Sequence, residues 1–202
     1  ATHPTPLRGV SPAVAFAHIG SLELEFGGTL PQVTVAYETY GELSPQRDNA
    51  IFVCHALTGD AHIAGLHSPS SRKPGWWDEL VGPGKGLDAN RYFIICANVL
   101  GGCMGSTGPL DRDPAGKPWN LAFPVVTIGD MVRAQAALLD HLGFARGLIV
   151  QGNAHGYDNR VVLDAVTRFP QRVRGIGIAD TRVAPATLRE WDRVGMRGLR
   201  FH

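Results

Sequence analysis

Gly152-Asn153-Ala154-His155-Gly156 follows a short apolar run, Leu148-Ile149-Val150, and precedes helical spacing over Asn159 to Phe169 that Pro170 closes. Strand, glycine turn, helix is the setting in which a serine at the middle position becomes an exposed nucleophile for acyl transfer. Here the middle position is Ala154, and a methyl group cannot attack an acyl carbon. His155 beside it could serve as a general base only with a carboxylate to orient it; a turn histidine hydrogen-bonded to backbone is the plainer reading.

Two other loops follow strand-like runs. In His55-Ala56-Leu57-Thr58-Gly59-Asp60, a tight turn can aim the Leu57 backbone N–H at the oxygen of a tetrahedral intermediate, although spacing alone describes an ordinary turn. The run from Asn98 to Pro109 has the glycine density of a phosphate cradle, but no lysine follows in the phosphate-loop arrangement, so close packing explains it better. In an open α/β sheet the loops after Cys54, Ala97 and Gln151 should converge on one crevice.

The elements that must hold these loops are legible in outline. Leu22 to Phe26 and Val33 to Tyr40 alternate apolar and polar residues around Gly27, Gly28 and Pro31, which predicts a half-exposed antiparallel hairpin at a sheet edge. Ala50 to His55, Tyr92 to Ala97 and Leu148 to Val150 read as buried parallel strands. Met131, Ala134, Ala137, Leu138 and Leu142 fall at helical spacing after Ile128-Gly129-Asp130, with Gly143 placed to stop the helix. Val173 to Ala179 predicts a strand, Ala186 to Val194 a helix, and Gly198 to His202 a further strand. Leu66 to Pro74 is an excursion loop.

A chain of 202 residues, 44% hydrophobic and 18% charged with a net charge of +1, suits one sizeable core and carries no global pull toward nucleic acid or an anionic membrane. The balance is uneven. Residues 1–148 hold 10 Lys+Arg against 13 Asp+Glu, whereas residues 149–202 hold 9 cations, all arginine, against 5 acids. Cys54, Cys96 and Cys103 form no CxxC pair and predict reduced thiols. With no apolar signal core and no membrane-length apolar run, a cytoplasmic location is expected.

Several runs together resemble homoserine O-acetyltransferase: Val35-Ala36-Tyr37-Glu38-Thr39-Tyr40-Gly41-Glu42-Leu43, Cys54-His55-Ala56-Leu57-Thr58-Gly59, Gly75-Trp76-Trp77-Asp78, Gly82-Pro83-Gly84-Lys85, the Asn98 loop, and Phe123 through Val132. The resemblance covers about residues 20–146. It implies an α/β fold, a parallel sheet with an N-terminal antiparallel hairpin, here an incomplete α/β-hydrolase-like three-layer sandwich. It also implies acyl transfer from acetyl-CoA to L-homoserine, a step of methionine biosynthesis, through an acyl-serine made by a Ser-Asp-His triad.

On that resemblance Leu57 is the first oxyanion donor, Ala154 stands at the nucleophile position and His155 supplies the second oxyanion N–H. The later Asp and His of the triad have no matching position, so the chain as written is expected to be inactive in ping-pong transfer. Acetyl-CoA would be a co-substrate with no cofactor bound. The expected partner is a small-molecule substrate, with no nucleic acid and no membrane, and a homodimer is left open.

From Val150 the wording changes. Val150 through Arg160, Arg174-Gly175-Ile176 and Gly195 through Phe201 resemble an amidohydrolase of the 2-pyrone-4,6-dicarboxylate lactonase type, over about residues 148–202. That resemblance implies Arg197, Arg200 and His155 as carboxylate contacts; the blander reading has Arg197 and Arg200 covering a helix end. The first-strand His-x-His pair of amidohydrolases is absent, so no metal site is expected. The resulting expectation is a chimeric chain: residues 1–147 acyltransferase-like, and residues 148–202 a βαβαβ segment packed into the same sheet. Its alternatives are a lactonase-like hydrolase fragment and a non-catalytic α/β module.

Overall fold

The computed structural model describes residues 14–56, 58–68, 70–151 and 156–200, without the side chain of Arg200. The chain divides into two compact units, Ala1–Leu142 and Gly143–His202.

In the first unit β1 (Ala15–Glu23) and β2 (Thr29–Tyr40) form the expected antiparallel hairpin, with Gly27 and Gly28 in the left-handed region of its turn. The first strand starts at Ala15 rather than Leu22, because Ala15 to Gly20 also pairs with β2, across an irregular register near Gly20. β3 (Ala50–Val53) pairs in parallel with β6 (Phe93–Ala97), and β6 pairs antiparallel with β2, giving the order β1-β2-β6-β3. All five residues of β6 are buried, so both sheet faces are covered at its centre.

Two kinds of cover do this. α1 (Ile128–His141) packs on β1 and β2 through a face that includes the buried Ala134 and Leu138. Ile94 and Cys96 of β6 instead meet Tyr40, Val53, Ala61, Ile63, Ala64 and Val81, so a long loop and the paired two-residue strands β4 (Val81–Gly82) and β5 (Leu87–Asp88) take the place of a helix layer.

The start of α1 is tied to the hairpin. Thr127 caps the helix, accepting from the Asp130 N–H at 3.0 Å, while the Asp130 carboxylate accepts from the Thr127 N–H at 2.8 Å. Asp130 also accepts from the Glu25 N–H at 3.1 Å and from Arg133. Burial alone would raise the Asp130 carboxyl, but these donors outweigh it and hold it below the usual carboxylate range.

In the second unit β7 (Gly147–Val150), β8 (Val173–Ile178) and β9 (Met196–Arg200) form a parallel sheet in chain order, joined by α2 (Arg160–Arg168) and α3 (Pro185–Val194). Gly195 closes α3 in the left-handed conformation. Val162 and Val166 of α2 pack with Met196, Ile149 and Trp191, and two glycines of β8 let them approach. A Cβ on Gly175 would stand 2.5 Å from Met196 Sδ and 2.6 Å from Val162 Cγ1.

β7, β8 and β9 hydrogen-bond with one another because each crossover helix returns the chain to the next strand. One expectation is corrected: within the second unit β7 is not buried on both sides. Ile149 faces the α2 cluster, but Leu148 and Val150, pointing the other way, are 54% and 49% exposed.

Candidate functional site

β2 places alternate residues on one face, and two of them, Glu38 and Tyr40, are polar yet buried. The Tyr40 hydroxyl donates to Glu38 Oε2 at 2.6 Å and accepts from the Ile63 N–H at 3.1 Å. Glu38, 1% exposed, also meets two imidazoles: His62 Nδ1 lies 3.2 Å from Oε2 and His67 Nε2 lies 2.9 Å from Oε1. The two rings stack with centroids 3.6 Å apart. His62 Nε2 is buried with no hydrogen-bond partner among the described residues.

The loop that carries these histidines is held at its neck. Gly75 N–H donates to Gly65 O at 2.9 Å and Trp77 N–H to Ile63 O at 2.8 Å, so residues 66–74 leave and return at one point, as an excursion loop does. Gly75 is required there: a Cβ would collide with the backbone of Ile63 and Ala64. Asp78 accepts the Gly65 N–H at 2.7 Å and pairs with Lys85. The Gly65 hydrogen bond, with help from Lys85, holds the Asp78 carboxyl below its ordinary range.

Asn98 joins this loop to the glycine-rich run after β6. Its Oδ1 accepts from Ala61 N–H at 2.7 Å, its Nδ2 donates to Met104 O at 2.5 Å, and its carbonyl accepts from the Ser106 hydroxyl at 2.7 Å. A Cβ on Gly108 would collide with Gly102 O, so close packing does account for glycine in this run. The run borders an apolar hollow of about 380 Å³ with Phe123, Val126 and Met131, which offers no titratable group.

Of the residues singled out by sequence, Leu57, Ala154 and His155 lie outside the described residues. The flanks of the Ala154 turn are described. Gln151 is buried and donates to Asp158 O at 2.6 Å, and Gly156 has φ +54°. Asn159 accepts from Ile178 N–H and donates to Ile178 O, both at 2.8 Å. Arg197 donates to the Asp192 carbonyl at 2.8 Å and pairs with its carboxylate at 2.9 Å, so it covers the end of α3. Arg200 lies in β9, its side chain outside the described residues. The loops after Cys54 and Ala97 do meet, through Ala61 and Asn98; the loop after Gln151 belongs to the second unit.

Glu38, Tyr40, Asp78 and Asn98 therefore stand in the runs that carry the first resemblance, with His62 between two of them, and contacts around one buried carboxylate and one loop neck explain why those residue types sit there. Sequence reading did not mark them as a cluster. Glu38 stands in the same phase of β2 as Thr34, where an exposed acid is the ordinary expectation, so nothing in the alternation marks it as buried.

An antiparallel hairpin leading into parallel strands, with βαβ crossovers following, defines an α/β-hydrolase-like fold, and solved structures agree. A homoserine O-acetyltransferase from Bacillus anthracis superposes with a TM-score of 0.69 at 33% identity over 82% of this chain and 46% of that one. An acetylester hydrolase from Corynebacterium glutamicum does so with a TM-score of 0.59 at 30% identity over 86% and 46%. The chain's curated homologues are homoserine O-acetyltransferases. That of Rhodospirillum rubrum is 51% identical over 174 residues, 86% of this chain and 44% of its own length. That of Methanosphaerula palustris is 48% identical over 193 residues, 95% of this chain and 39% of its own length.

The chain thus spans less than half the length of the curated relatives it matches. No protein-family model matches it. A match spanning 95% of the chain necessarily runs past Gly147, so the likeness to the acyltransferases does not stop at residue 146 as the motifs alone suggest. No helix among the described residues is long and apolar enough to cross a membrane.

Proposed function

We propose that this chain forms part of a homoserine O-acetyltransferase, an enzyme moving an acetyl group from acetyl-CoA to the hydroxyl of L-homoserine. The observation that supports it most is the identity of about half the positions over most of the chain with enzymes of that name. The reading makes acetyl-CoA a co-substrate and places the reaction in the cytoplasm, with which three free thiols accord.

In this reading Leu57 and His155 supply oxyanion N–H groups and Ala154 occupies the place of the nucleophile. Such a triad loses on the order of a million-fold in rate with its serine. The 202 residues alone are therefore expected to form no acyl-enzyme.

A segment exchange tests the assignment. Residues 14–142 of this chain replace the corresponding part of the Rhodospirillum rubrum homologue, whose remaining residues stay in place. Acetylation of homoserine by the folded hybrid supports the reading; a folded hybrid that binds neither substrate overturns it. Separately, mass spectrometry of the chain with acetyl-CoA is expected to show no acylated protein.

A further inference from the structure

Glu38, His62 and His67 bring together one carboxylate oxygen and two imidazole nitrogens within 4.8 Å of one another. We propose that they form a binding site for a divalent transition-metal ion of the zinc type, which fastens the 60–78 loop to β2.

The donor set is the first argument. Two neutral imidazoles and one carboxylate suit zinc and its borderline neighbours, and are a poor match for calcium or magnesium, which prefer all-oxygen shells. Ligand bonds of about 2.0–2.1 Å at tetrahedral angles separate neighbouring donor atoms by about 3.4 Å. The observed separations, 3.2 Å from Oε2 to His62 Nδ1 and 2.9 Å from Oε1 to His67 Nε2, run to the two oxygens of one carboxylate, so Glu38 grips the ion through both oxygens or turns to offer one.

The support around the donors is the second argument. Ligating carboxylates are ordinarily hydrogen-bonded from behind, and Glu38 Oε2 receives the Tyr40 hydroxyl, itself fixed by the Ile63 N–H next to His62. His62 is anchored on both sides, its N–H donating to Asp60 Oδ1 at 3.0 Å and its carbonyl accepting from Trp76 N–H at 3.2 Å.

Charge and access complete the case. The two imidazoles stack at 3.6 Å, which brings both rings to the same carboxylate. A divalent ion would offset the buried Glu38 charge. His67 is 50% exposed, so an ion reaches the site from solvent, and three protein ligands leave a position for water.

The test uses the intact 202-residue chain and cobalt(II) as a spectroscopic probe. One equivalent of cobalt is expected to give the visible absorption of a tetrahedral ion, displaced by zinc, with zinc content near one per chain after dialysis. His67→Ala is expected to weaken zinc binding by at least about tenfold, while His141→Ala at the end of α1 leaves it unchanged. If His67→Ala folds poorly, His67→Gln read by the same cobalt spectrum decides. Binding that is absent, or that is the same in wild type, His67→Ala and His67→Gln, overturns the site.

Discussion

The side-chain amide of Asn159 satisfies both backbone groups of Ile178, accepting from its N–H and donating to its C=O, each at 2.8 Å. It thereby does for the end of β8 what a neighbouring strand would do. Asn159→Leu leaves two buried backbone groups unpaired, which costs on the order of 2–4 kcal/mol. The loss is read as a lower urea midpoint for the second unit by circular dichroism; an unchanged midpoint shows that water replaces the amide.

Gly175 sits under α2 where no Cβ fits, 2.5 Å from Met196 Sδ and 2.6 Å from Val162 Cγ1. Gly175→Ala is expected to destabilise the second unit by about 1–3 kcal/mol, the usual range for overpacking. Met196 is the more yielding neighbour, so adding Met196→Ala to Gly175→Ala should recover part of the loss. Thermal melts of the two variants and the pair test this.

Asp130 is held below the ordinary carboxylate range in the folded chain. A depressed native value means that its contribution is complete above the unfolded value of about 3.9 and is lost as pH falls below that toward the native value. Asp130→Asn should lower stability near neutrality by about 1 kcal/mol or more, in keeping with lost capping interactions. The difference between variant and wild type should shrink as the pH is lowered below 4. A difference constant with pH would show that the charge does not contribute.

Burial, with smaller contributions from Cys54, Glu38 and Asp60, pushes the Cys96 thiol up to about 12, while Cys103 is exposed. Iodoacetamide at pH 8 is therefore expected to modify Cys103 in the native chain and Cys96 only after unfolding, since the thiolate is the reactive form. Peptide mass spectrometry distinguishes them, and equal labelling of both in the native chain contradicts the structure.

Where one physical signal dominated, the sequence was a good guide. The α1 apolar spacing with Thr127 and Asp130 at its start, and Gly195 after α3, specify their elements locally. Leu148 and Val150 misled, because an apolar tetrapeptide reads the same whether one face or both are covered, and the covering helices are set by the crossovers. The Glu38 cluster was illegible for a different reason. Its members are 24 and 5 residues apart and meet only because the 66–74 loop closes at Gly65 and Gly75, a contact that no spacing rule encodes. For Leu57, Ala154 and His155 the reading rests on sequence alone.

The knot of Glu25, Thr127, Asp130 and Arg133 joins residues more than 100 positions apart. On a ribosome the hairpin turn at Glu25 is complete long before its partner exists, so the early strands must wait, edge exposed, until the helix start emerges. Loop closure over such a span is entropically slow. The first unit should accordingly lock late in synthesis and in a single step, and nascent chains halted before Arg133 should be far more open to protease than those only slightly longer.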